Sequence, residues 1–453
     1  MKKWTHIYFI GIGGIGMSAL ARWAKHIGKD VAGYDRVSTP LTQRLEQEGM
    51  AVHYADDWAQ VPEGFTHPED TLVIITPAIP QLHSEWKHFQ GQGFTIMKRS
   101  ELLGQISQDY STIAVAGTHG KTSTCSLVAY MLRKMNRSFV AFLGGIAKNF
   151  DSNFVIHDGE GETIAVVEAD EFDRSFLKLH PNIAVITAVE ADHLDTYGTE
   201  ANLVSAFAQF VGQITASGGV VIAQEAIKGL SNTASYGIQH GDFRLDVEKL
   251  ESGITFFSFY HKQEKRLQST ISLFGLHNME NLCGALSAIS SADQAGLAML
   301  DDLTGYKAVK RRMEKHVDTP GLIYIDDYAH HPTEIDALVD AVKTAYEGWR
   351  IHAIFQPHLF SRTRDFQEAF GKSLSKADSV RLLPIYPARE EPMEGVDSTL
   401  ILNKVTTTDR AIMDKAKVLA YVDAIQQGVI LTVGAGDIDQ CVQPIVQSLN
   451  QRP

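Results

Sequence analysis

The sequence contains little cysteine, no long apolar run and no excess of positive charge. Its three cysteines, Cys125, Cys283 and Cys441, lie far apart and form no Cys-x-x-Cys pair, so neither a disulfide framework nor a structural zinc site is expected. No stretch approaches the ~20 apolar residues of a membrane span. The net charge of −13 argues against nonspecific binding to nucleic acid or anionic membranes, because attraction to phosphate requires clustered positive charge. These features predict a cytoplasmic protein without a nucleic-acid partner and without membrane insertion.

The first residues only faintly resemble a targeting signal. Met1-Lys2-Lys3 precedes apolar residues, but glycines interrupt the run and no cleavage-site pattern follows, so a signal peptide is not predicted. The 453 residues suffice for two to four domains. A hydrophobic content of 44% and a charged content of 21% are ordinary for a globular protein with buried cores.

Residues 111–124 have the pattern of a phosphate-binding loop. Ile113 to Ala116 reads as a short buried strand, and the glycine-rich segment Gly117-Thr-His-Gly-Lys-Thr122 leads into a helix. Glycines let backbone N–H groups turn toward phosphate oxygens, the lysine adds a cation, and the hydroxyl can reach Mg²⁺. The loop lacks the upstream glycine of the usual Walker pattern, so a helix-capping turn without ligand is the alternative. We interpret the segment as an ATP site.

Two acidic clusters follow strands of the same predicted sheet, which we expect to be mostly parallel, with helical segments between its strands. Glu168-Ala-Asp170-Glu171 ends one strand, and Glu190-Ala-Asp192-His193 lies just beyond the next. Ligands gather at the carboxyl ends of parallel strands, and carboxylates beside an ATP loop suit Mg²⁺. A solvated, acidic sheet edge is the alternative. His193 could equally be a ligand-orienting donor or a structural histidine.

The N-terminal segment carries a second glycine-rich turn. A strand from Thr5 to Ile10 is followed by Gly11-Ile-Gly-Gly-Ile-Gly16, then by a helical pattern and a second strand that ends at Asp35. This is a βαβ unit with the Gly-x-Gly-x-x-Gly fingerprint and an acid placed to hold ribose hydroxyls. The fingerprint favours NAD, but the same turn accepts any diphosphate.

The rest of the chain adds polar residues at helix starts and strand ends. Asn281 lies one turn into a helix, where asparagine is unfavourable, and its amide could read adenine. The basic run Lys310-Arg311-Arg312 is either a solvated face or a nucleotide contact. A third α/β domain follows, with polar segments at Asp326–Glu334 and Gln356–Asp365, and Pro332 suits the first turn of a helix that runs to about Ala345.

Taken together, these motifs resemble the Mur ligases, ATP-dependent amide-forming enzymes of peptidoglycan synthesis, over nearly the whole chain. The segments that carry the resemblance are Gly117–Thr122, Glu168–Glu171, Glu190–His193, His277-Asn-x-x-Asn281 and Asp326-Asp-Tyr-Ala-His-His-Pro332. The resemblance implies an α/β fold of three domains. These are an N-terminal Rossmann-like domain for a UDP-sugar (1–106), a central P-loop-type ATPase with a mostly parallel sheet (107–312) and a C-terminal Rossmann-like domain that closes over ATP and the amino acid (313–453). The resemblance therefore implies that the ligand of the N-terminal glycine-rich loop is a UDP diphosphate and not NAD.

The resemblance also assigns roles by position. It implies that Lys121 contacts the β- and γ-phosphates, that Arg312 contacts the phosphates, that Asn281 faces adenine and that Asp327 holds the ATP ribose. The ATP site it implies comprises Gly117, Thr118, His119, Gly120, Lys121, Thr122, Asn281, Arg312 and Asp327. It implies Mg²⁺ on Thr122, Glu168 and His193, with Lys121, Glu168 and His193 catalytic. The UDP-sugar site would comprise Gly11, Gly13, Gly14, Gly16 and Asp35, and the amino-acid region His330, His358 and Arg362.

Within the family, the motifs are most similar to the branch that joins L-alanine to UDP-N-acetylmuramate through an acyl phosphate. Two positions depart from that pattern: Ala188 replaces an asparagine and Leu359 an arginine. Several sister ligases of the family carry a carbamylated lysine shortly after the Asp-His pair. This chain has no lysine between His193 and Lys228, which agrees with the alanine-adding branch. The alternatives are a recycling ligase that adds a tripeptide, an NAD-dependent oxidoreductase and a non-catalytic nucleotide-binding regulator. We expect a bacterial cytoplasmic protein that is a monomer or a weak homodimer.

Overall fold

The computed structural model describes residues 3–190, 194–251, 253–388 and 390–452. In this part of the chain the strands form three sheets, each of them largely parallel and accompanied by helices. The predicted three-domain α/β fold is confirmed. No helix among the described residues is long and apolar enough to cross a membrane.

The first sheet is a five-stranded, fully parallel Rossmann-like sheet. Its strands, in the spatial order β3-β2-β1-β4-β5, are β1 (His6–Ile10), β2 (Asp30–Tyr34), β3 (Ala51–His53), β4 (Thr71–Ile75) and β5 (Thr95–Lys98). Its helices are α1 (Ile15–His26), α2 (Pro40–Gln47), α3 (Ser84–Gly91) and α4 (Arg99–Asp109). The predicted strand–loop–helix–strand unit at the N-terminus is therefore present. Residues 104–109, beside the expected domain boundary at 106/107, lie within α4.

The second sheet has ten strands in the order β15-β14-β13-β12-β11-β10-β6-β9-β7-β8. The strands are β6 (Ser111–Ala116), β7 (Arg137–Ala147), β8 (Ser152–His157), β9 (Glu160–Ala169), β10 (Ile183–Ile186), β11 (Val220–Gln224), β12 (Ala234–Ile238), β13 (Phe243–Glu251), β14 (Ile254–His261) and β15 (Glu264–Ile271). The helices that follow them are α5 (Lys121–Lys134), α6 (Leu194–Tyr197), α7 (Glu200–Ala216) and α8 (Leu276–Ala292). Because β9 and β10 both pair in parallel with β6, their carboxyl ends flank the phosphate loop.

The expected helical connection between β7 and β9 is wrong. We expected helices between its strands, but β7 continues through a turn into β8, which pairs with β7 in the antiparallel direction before β9 begins. The turn contains Asp151 with a positive φ of 48°, a conformation that aspartate tolerates better than most residues. The segment between the turn and β9 is also too short for a stable crossover helix.

The third sheet has six strands in the order β16-β17-β21-β18-β19-β20. Only β16 is antiparallel to its neighbour. The strands are β16 (Glu314–Thr319), β17 (Leu322–Asp327), β18 (Ile351–Phe355), β19 (Ser379–Leu382), β20 (Asp409–Ile412) and β21 (Gly428–Val433). The helices are α9 (Pro332–Ala345), α10 (Phe360–Leu374), α11 (Thr399–Leu402), α12 (Val418–Ala424) and α13 (Val442–Asn450). Pro332 occupies the first turn of α9, as predicted, where the absence of its N–H costs no helical hydrogen bond.

The chain divides into two compact units. One comprises Met1–Lys249, Phe256–Ile271 and Glu280–Lys307, and the other Leu250–Thr255, Ser272–Met279 and Ala308–Pro453. The first two sheets thus lie in one unit and the third sheet in the other. The domain boundaries 106/107 and 312/313 stay predictions.

Within the first unit, the first sheet's helix α1 packs on β7 and β8 of the second sheet. The buried Arg22 on α1 pairs with Glu48, Nε lying 2.8 Å from Oε2, and its Nη1 donates to Oδ1 of the fully buried Asn153 on β8. The Asn153 amide in turn donates to Oγ of Ser18 at 2.9 Å. Every polar group of this contact is thus satisfied although it lies inside an apolar cluster.

Candidate active site

The phosphate loop connects β6 to α5 through two glycines with positive φ, Gly117 at 137° and Gly120 at 79°. A Cβ on Gly117 would clash with Thr187 and Ala188, and a Cβ on Gly120 would clash with the Asn281 side chain. Glycine is thus required at both positions by backbone conformation and by space. The loop is held against the neighbouring strand end, since the Thr118 N–H donates to the Ala188 carbonyl at 3.0 Å.

Lys121 begins α5 and turns back over the loop. Its Nζ donates to the Gly117 carbonyl at 2.6 Å and to both carboxylate oxygens of Glu171 at 2.7 and 2.9 Å. Burial alone would lower the pKa of this ammonium group, but the carboxylates of Glu171, Asp170 and Glu168 raise it above the ordinary lysine value. The loop therefore carries a fixed positive charge.

The first acidic cluster meets the loop through Glu168. The Thr122 hydroxyl lies 2.9 Å from both Glu168 oxygens, and the Gly144 N–H donates to Oε2 at 2.8 Å. Burial raises the pKa of Glu168, and Lys121 and Thr122 oppose that rise. Asp170 differs: burial would raise its pKa, but Lys121 and Arg99 bring it below the ordinary aspartate value. The predicted proximity of this cluster to Lys121 is confirmed by these distances.

The second acidic segment is only partly described. Thr187 at the end of β10 donates through Oγ1 to the Ala116 carbonyl at 3.1 Å and also bonds the His119 carbonyl. His119 Nε2 lies 3.5 Å from Glu190 Oε2, so the strand end does reach the loop. Ala188, the expected departure, contributes its backbone carbonyl instead of a side chain. His193, predicted as a metal ligand, lies outside the described residues.

Asn281 stands beside the loop from helix α8. It is buried, and its Oδ1 lies 3.4 Å from the Thr124 hydroxyl on α5. The structure thus brings this predicted nucleotide residue next to Gly120, although 157 residues separate it from Thr124 along the chain. Its role toward adenine stays a prediction.

The N-terminal glycine loop is closed by its own acid. Gly11 has a positive φ of 88°, and the Gly13 N–H donates to Asp35 Oδ2 at 2.8 Å. The Gly14 N–H donates to the Gly11 carbonyl at 3.2 Å, which makes the turn tight. Asp35, expected to hold ribose hydroxyls, is therefore engaged with the loop backbone through one of its two oxygens.

A cavity of about 190 Å³ lies between this loop and the acidic cluster at the end of β9. It is lined by Gly16 on α1, by Leu143 and Gly144 on β7, and by Glu168 and Asp170 at the end of β9. Arg99 at the start of α4 also lines it, with Nη2 3.1 Å from Asp170 Oδ2. Sequence reasoning missed Arg99, since nothing in the sequence relates it to an acid 71 residues away. Glu171 was recognised only as a member of the cluster, without a role of its own.

In the second unit, Asp327 ends β17 and is held by two backbone N–H groups. Met313 N donates to Oδ2 at 2.6 Å and Ala329 N to Oδ1 at 2.7 Å. Burial raises the pKa of Asp327 to about 6, against the opposing effect of Arg312. The Arg312 guanidinium lies over the Tyr328 ring at 5.2 Å and 3.6 Å from Glu334. The structure thus brings Arg312 and Asp327 together, as the resemblance implies.

The basic run before β16 is not a uniform solvated face. Arg311 donates from Nε to Oδ2 of the buried Asp326 at 2.9 Å and from Nη2 to the Gly434 carbonyl at 2.6 Å. Arg311 therefore has a structural role in the third sheet, whereas the guanidinium of Arg312, the next residue, lies over Tyr328 and near Glu334.

The three residues predicted for the amino acid also lie together in this unit. The His330 and His358 rings are 5.9 Å apart, and Arg362 Nη1 lies 3.4 Å from His358 Nδ1. The His358 ring stacks on Tyr386 at 5.8 Å. Two imidazoles and a buried guanidinium in one cluster can receive a carboxylate.

Leu359, the second expected departure, has an unusual backbone. Its φ of 72° and ψ of 136° lie in a region that residues with a side chain rarely adopt. Its N–H donates to the Tyr386 carbonyl at 3.0 Å, and its carbonyl accepts from the Thr363 hydroxyl at 2.9 Å. These bonds hold the bend that separates His358 from Arg362.

Comparison with known proteins assigns the family. Profiles described as "Mur ligase family, catalytic domain", "Mur ligase middle domain" and "Mur ligase, glutamate ligase domain" match residues 6–111, 115–289 and 311–436. A protein of Flavobacterium johnsoniae named UDP-N-acetylmuramate–L-alanine ligase is 43% identical over 455 residues, covering 100% of this chain and 99% of the relative. The chain belongs to the Mur ligase family, and the resemblance found in its motifs is confirmed.

Solved structures agree with this assignment. A UDP-N-acetylmuramate–alanine ligase of Thermotoga maritima is 27% identical and superposes with a TM-score of 0.80, over 98% of this chain and 99% of that one. A murein peptide ligase of Psychrobacter arcticus, 22% identical, has the same fold with a TM-score of 0.68 over 99% of both chains.

Proposed function

We propose that this chain joins L-alanine to the lactyl carboxylate of UDP-N-acetylmuramate, with conversion of ATP to ADP and phosphate, in peptidoglycan synthesis. The observation that carries the proposal is the match, over the full length, to a relative named for this reaction. The phosphate loop, with Lys121 fixed among three acids, supports the use of ATP.

The chemistry explains why ATP is needed. A carboxylate resists attack by an amine, because oxide is a very poor leaving group. Transfer of the γ-phosphate to the lactyl carboxylate gives an acyl phosphate and ADP. The neutral amine of L-alanine then attacks the carbonyl carbon, a C–N bond forms, and the C–O bond to phosphate breaks as the tetrahedral intermediate collapses. The amine's proton passes to a base.

We assign the ATP contacts to the residues for which the resemblance to the family implies them. Lys121 would contact the β- and γ-phosphates, and its raised pKa keeps it cationic at any physiological pH. Asn281 would face adenine from α8. In the second unit, Arg312 would contact the phosphates and Asp327, ionised at pH 7, the ribose.

The donor set at the loop fits Mg²⁺. The Thr122 hydroxyl and the Glu168 carboxylate are oxygen donors that meet beside Lys121, and hard cations of this size take oxygen ligands. Thr122 and Glu168 would hold the ion, with His193 as a further predicted ligand, and the bound ion would neutralise phosphate charge.

We assign the UDP diphosphate to the loop of Gly11, Gly13, Gly14 and Gly16. Its turn is tight, and a side chain at Gly13 or Gly16 would collide with Asp35 or Arg99, so glycine is required at both positions. The carboxylate of L-alanine would lie among His330, His358 and Arg362, where a buried guanidinium and two imidazoles converge.

The recycling ligase that adds a tripeptide is the alternative. The murein peptide ligase superposes less closely than the alanine ligase, 0.68 against 0.80. The test is to supply purified protein with UDP-N-acetylmuramate and ATP together with either L-alanine or the tripeptide. We expect phosphate release and a product heavier by one alanine residue only with L-alanine. Turnover with tripeptide alone would establish the alternative, and no phosphate release with either substrate would refute both.

Two further assignments complete the proposal. We place the enzyme in the bacterial cytoplasm, where ATP and UDP-sugars are available, and we propose a monomer or a weak homodimer. Light scattering over a range of protein concentrations measures the latter. An oxidoreductase would change the absorbance of NADH, and we expect no such change.

A further inference from the structure

Arg99 lies between the two halves of the first unit's site. It is the first residue of α4, and its side chain is 27% exposed. Nη2 is 3.1 Å from Asp170 Oδ2, while Nη1 stands so near Gly16 that a Cβ at that position would collide with it. Gly16 ends the diphosphate loop and Asp170 belongs to the acidic cluster beside Lys121. The guanidinium thus lies between the proposed UDP-sugar loop and the acidic cluster of the proposed ATP site.

The same side chain lines the cavity of about 190 Å³ described above. Two carboxylates, Glu168 and Asp170, line that cavity as well, and Arg99 is the single lysine or arginine among its described lining residues. Aliphatic groups of Leu20, Leu103 and Leu143 form the rest of its wall. Such a cavity suits a small group with an apolar part and one anionic end.

An anionic acceptor must overcome the charge of these acids. A carboxylate brought toward Glu168 and Asp170 is repelled by both unless a cation lies on its path. Asp170 occupies only Nη2 of Arg99, and in the described part of the chain no other hydrogen bond to this guanidinium is present. Nη2 carries two N–H groups and Asp170 accepts from one of them, so the other Nη2 N–H can bind a carboxylate in a bidentate pair together with a neighbouring N–H of the guanidinium.

We propose that Arg99 receives the lactyl carboxylate of the muramyl acceptor in this cavity, and that Asp170 is a positioning residue that holds Arg99 there. Arg99 then determines specificity, because it distinguishes a UDP-sugar that carries the lactyl group from one that lacks it. The inference rests on the proposed function and adds the group that selects the acceptor.

The test compares two ligands that differ only by the lactyl group. Calorimetry measures binding of UDP-N-acetylmuramate and of UDP-N-acetylglucosamine to the full-length protein, without ATP. We expect the wild type to prefer the muramyl ligand at least tenfold. Arg99→Met should remove this preference by weakening the muramyl ligand at least tenfold while changing the other less than twofold.

Three further variants test whether the effect is specific to the guanidinium of Arg99. Lys98→Met removes an exposed cation from the adjacent residue and should leave both affinities and turnover unchanged. Arg99→Lys keeps the charge without the fork and should retain part of the preference, which also covers the case that Arg99→Met does not fold. Asp170→Asn should raise KM for UDP-N-acetylmuramate without affecting the binding of UDP-N-acetylglucosamine.

An equal loss for both ligands in Arg99→Met, or an undiminished preference, would overturn the inference while the proposed function stood. A wild-type protein that binds both ligands equally, yet ligates L-alanine, would have the same meaning. Failure of the wild type to bind the muramyl ligand or to ligate L-alanine would overturn the proposed function, and the inference with it.

Discussion

Glu171 holds the ammonium group of Lys121 with both of its carboxylate oxygens, at 2.7 and 2.9 Å, from a position without any solvent exposure. The lysine of the phosphate loop is therefore oriented before a nucleotide binds. Since Thr122 and Glu168 make the neighbouring contact, the cation and the proposed metal ligands are fixed by one network. Such preorganisation lowers the reorganisation needed when charge develops on the transferred phosphate.

Replacing Lys121 should separate chemistry from acceptor binding. In Lys121→Ala we expect ligation to fall at least about a thousandfold, because the cation that offsets charge on the phosphates is lost. UDP-sugar affinity should change less than twofold. Phosphate release and calorimetry measure the two quantities. Lys134→Ala, at the other end of α5, is the matched control and should keep turnover. Full turnover in Lys121→Ala would remove the loop from the mechanism.

The same variant should be less stable, because it leaves Glu171 buried without this cation. We expect a loss of about 3 kcal/mol in the free energy of unfolding, the size found when one partner of a buried ion pair is removed. Adding Glu171→Gln to Lys121→Ala should restore part of the loss, since it removes the buried carboxylate charge. Chemical denaturation of the single and double variants measures it. A double variant less stable than Lys121→Ala would contradict this explanation.

Glu168→Gln should weaken the metal site selectively. The amide keeps the size of the side chain but lacks its charge, so we expect the Mg²⁺ concentration for half-maximal turnover to rise more than about tenfold. Direct titration of Mn²⁺ in the presence of a non-hydrolysable ATP analogue should show the same shift without turnover. Removal of divalent ions should abolish activity in the wild type. An unchanged metal requirement in Glu168→Gln would exclude this residue as a ligand.

The first sheet contains a buried acid that predicts a pH effect on stability. Glu85 on α3 is fully buried, and Tyr8 donates to its Oε2 at 2.8 Å. Burial raises the pKa of Glu85 to about 7, with Asp56 raising it further and the Tyr8 hydrogen bond opposing. Because the folded state binds this proton more tightly than the unfolded state, the acid's contribution to stability is present below pH 4.5 and is lost as pH rises to 7.

The measurement compares the wild type with Glu85→Gln, which resembles the protonated acid at every pH. The difference in unfolding free energy should shift in favour of Glu85→Gln by about 3 kcal/mol between pH 4.5 and 7. His53 Nε2 lies 3.5 Å from Glu85 Oε1, so its titration is coupled to that of Glu85, and the comparison is repeated in a His53→Gln background that removes it. Tryptophan fluorescence follows the transition, because Trp58 and Trp86 lie in this part of the chain. A difference independent of pH would refute the assignment.

The backbone conformation of Leu359 predicts that its glycine variant is more stable than its alanine variant. Its side chain is only 5% exposed, so both Leu359→Ala and Leu359→Gly lose buried apolar area. Only glycine relieves a backbone at φ 72° and ψ 136°. We therefore expect Leu359→Gly to be more stable than Leu359→Ala by about 1–3 kcal/mol, the cost of such strain. Thermal unfolding of the two variants measures the order. A more stable alanine variant would show that the backbone here is not strained.

Much of the fold could be predicted because its strands are short apolar runs with turn residues at their ends. Helix α9 was predicted over its full length from Pro332 and the apolar spacing that follows. The strands before the two glycine-rich loops were predicted within two residues, as Thr5–Ile10 for β1 and Ile113–Ala116 for β6. The antiparallel β8 was not, since an amphipathic segment after a turn gives no sign of which neighbour it pairs with. The function of Asp35 was predicted from spacing alone, which cannot show that its carboxylate turns back to Gly13.

The sequence predicted those parts of the candidate site that are formed by short, continuous motifs, and no others. The loop and the acids at two strand ends were found because parallel strands bring their carboxyl ends to one edge. The partners of Lys121 and Asp170 depend on side-chain directions and on long-range contacts, and these have no local signature. The role of Arg99 required both the cavity and the approach of Gly16.

The contact between Arg22 and Asn153 has a consequence for the order of biosynthesis. The N-terminal sheet leaves the ribosome first, yet the strand that covers its helix α1 follows 131 residues after Arg22. Until β7 and β8 emerge, Nη1 of Arg22 lacks its acceptor on Asn153, and the face of α1 that packs on these strands lies uncovered. The nascent first domain therefore exposes an apolar face until these strands of the second domain have been synthesised and can cover it.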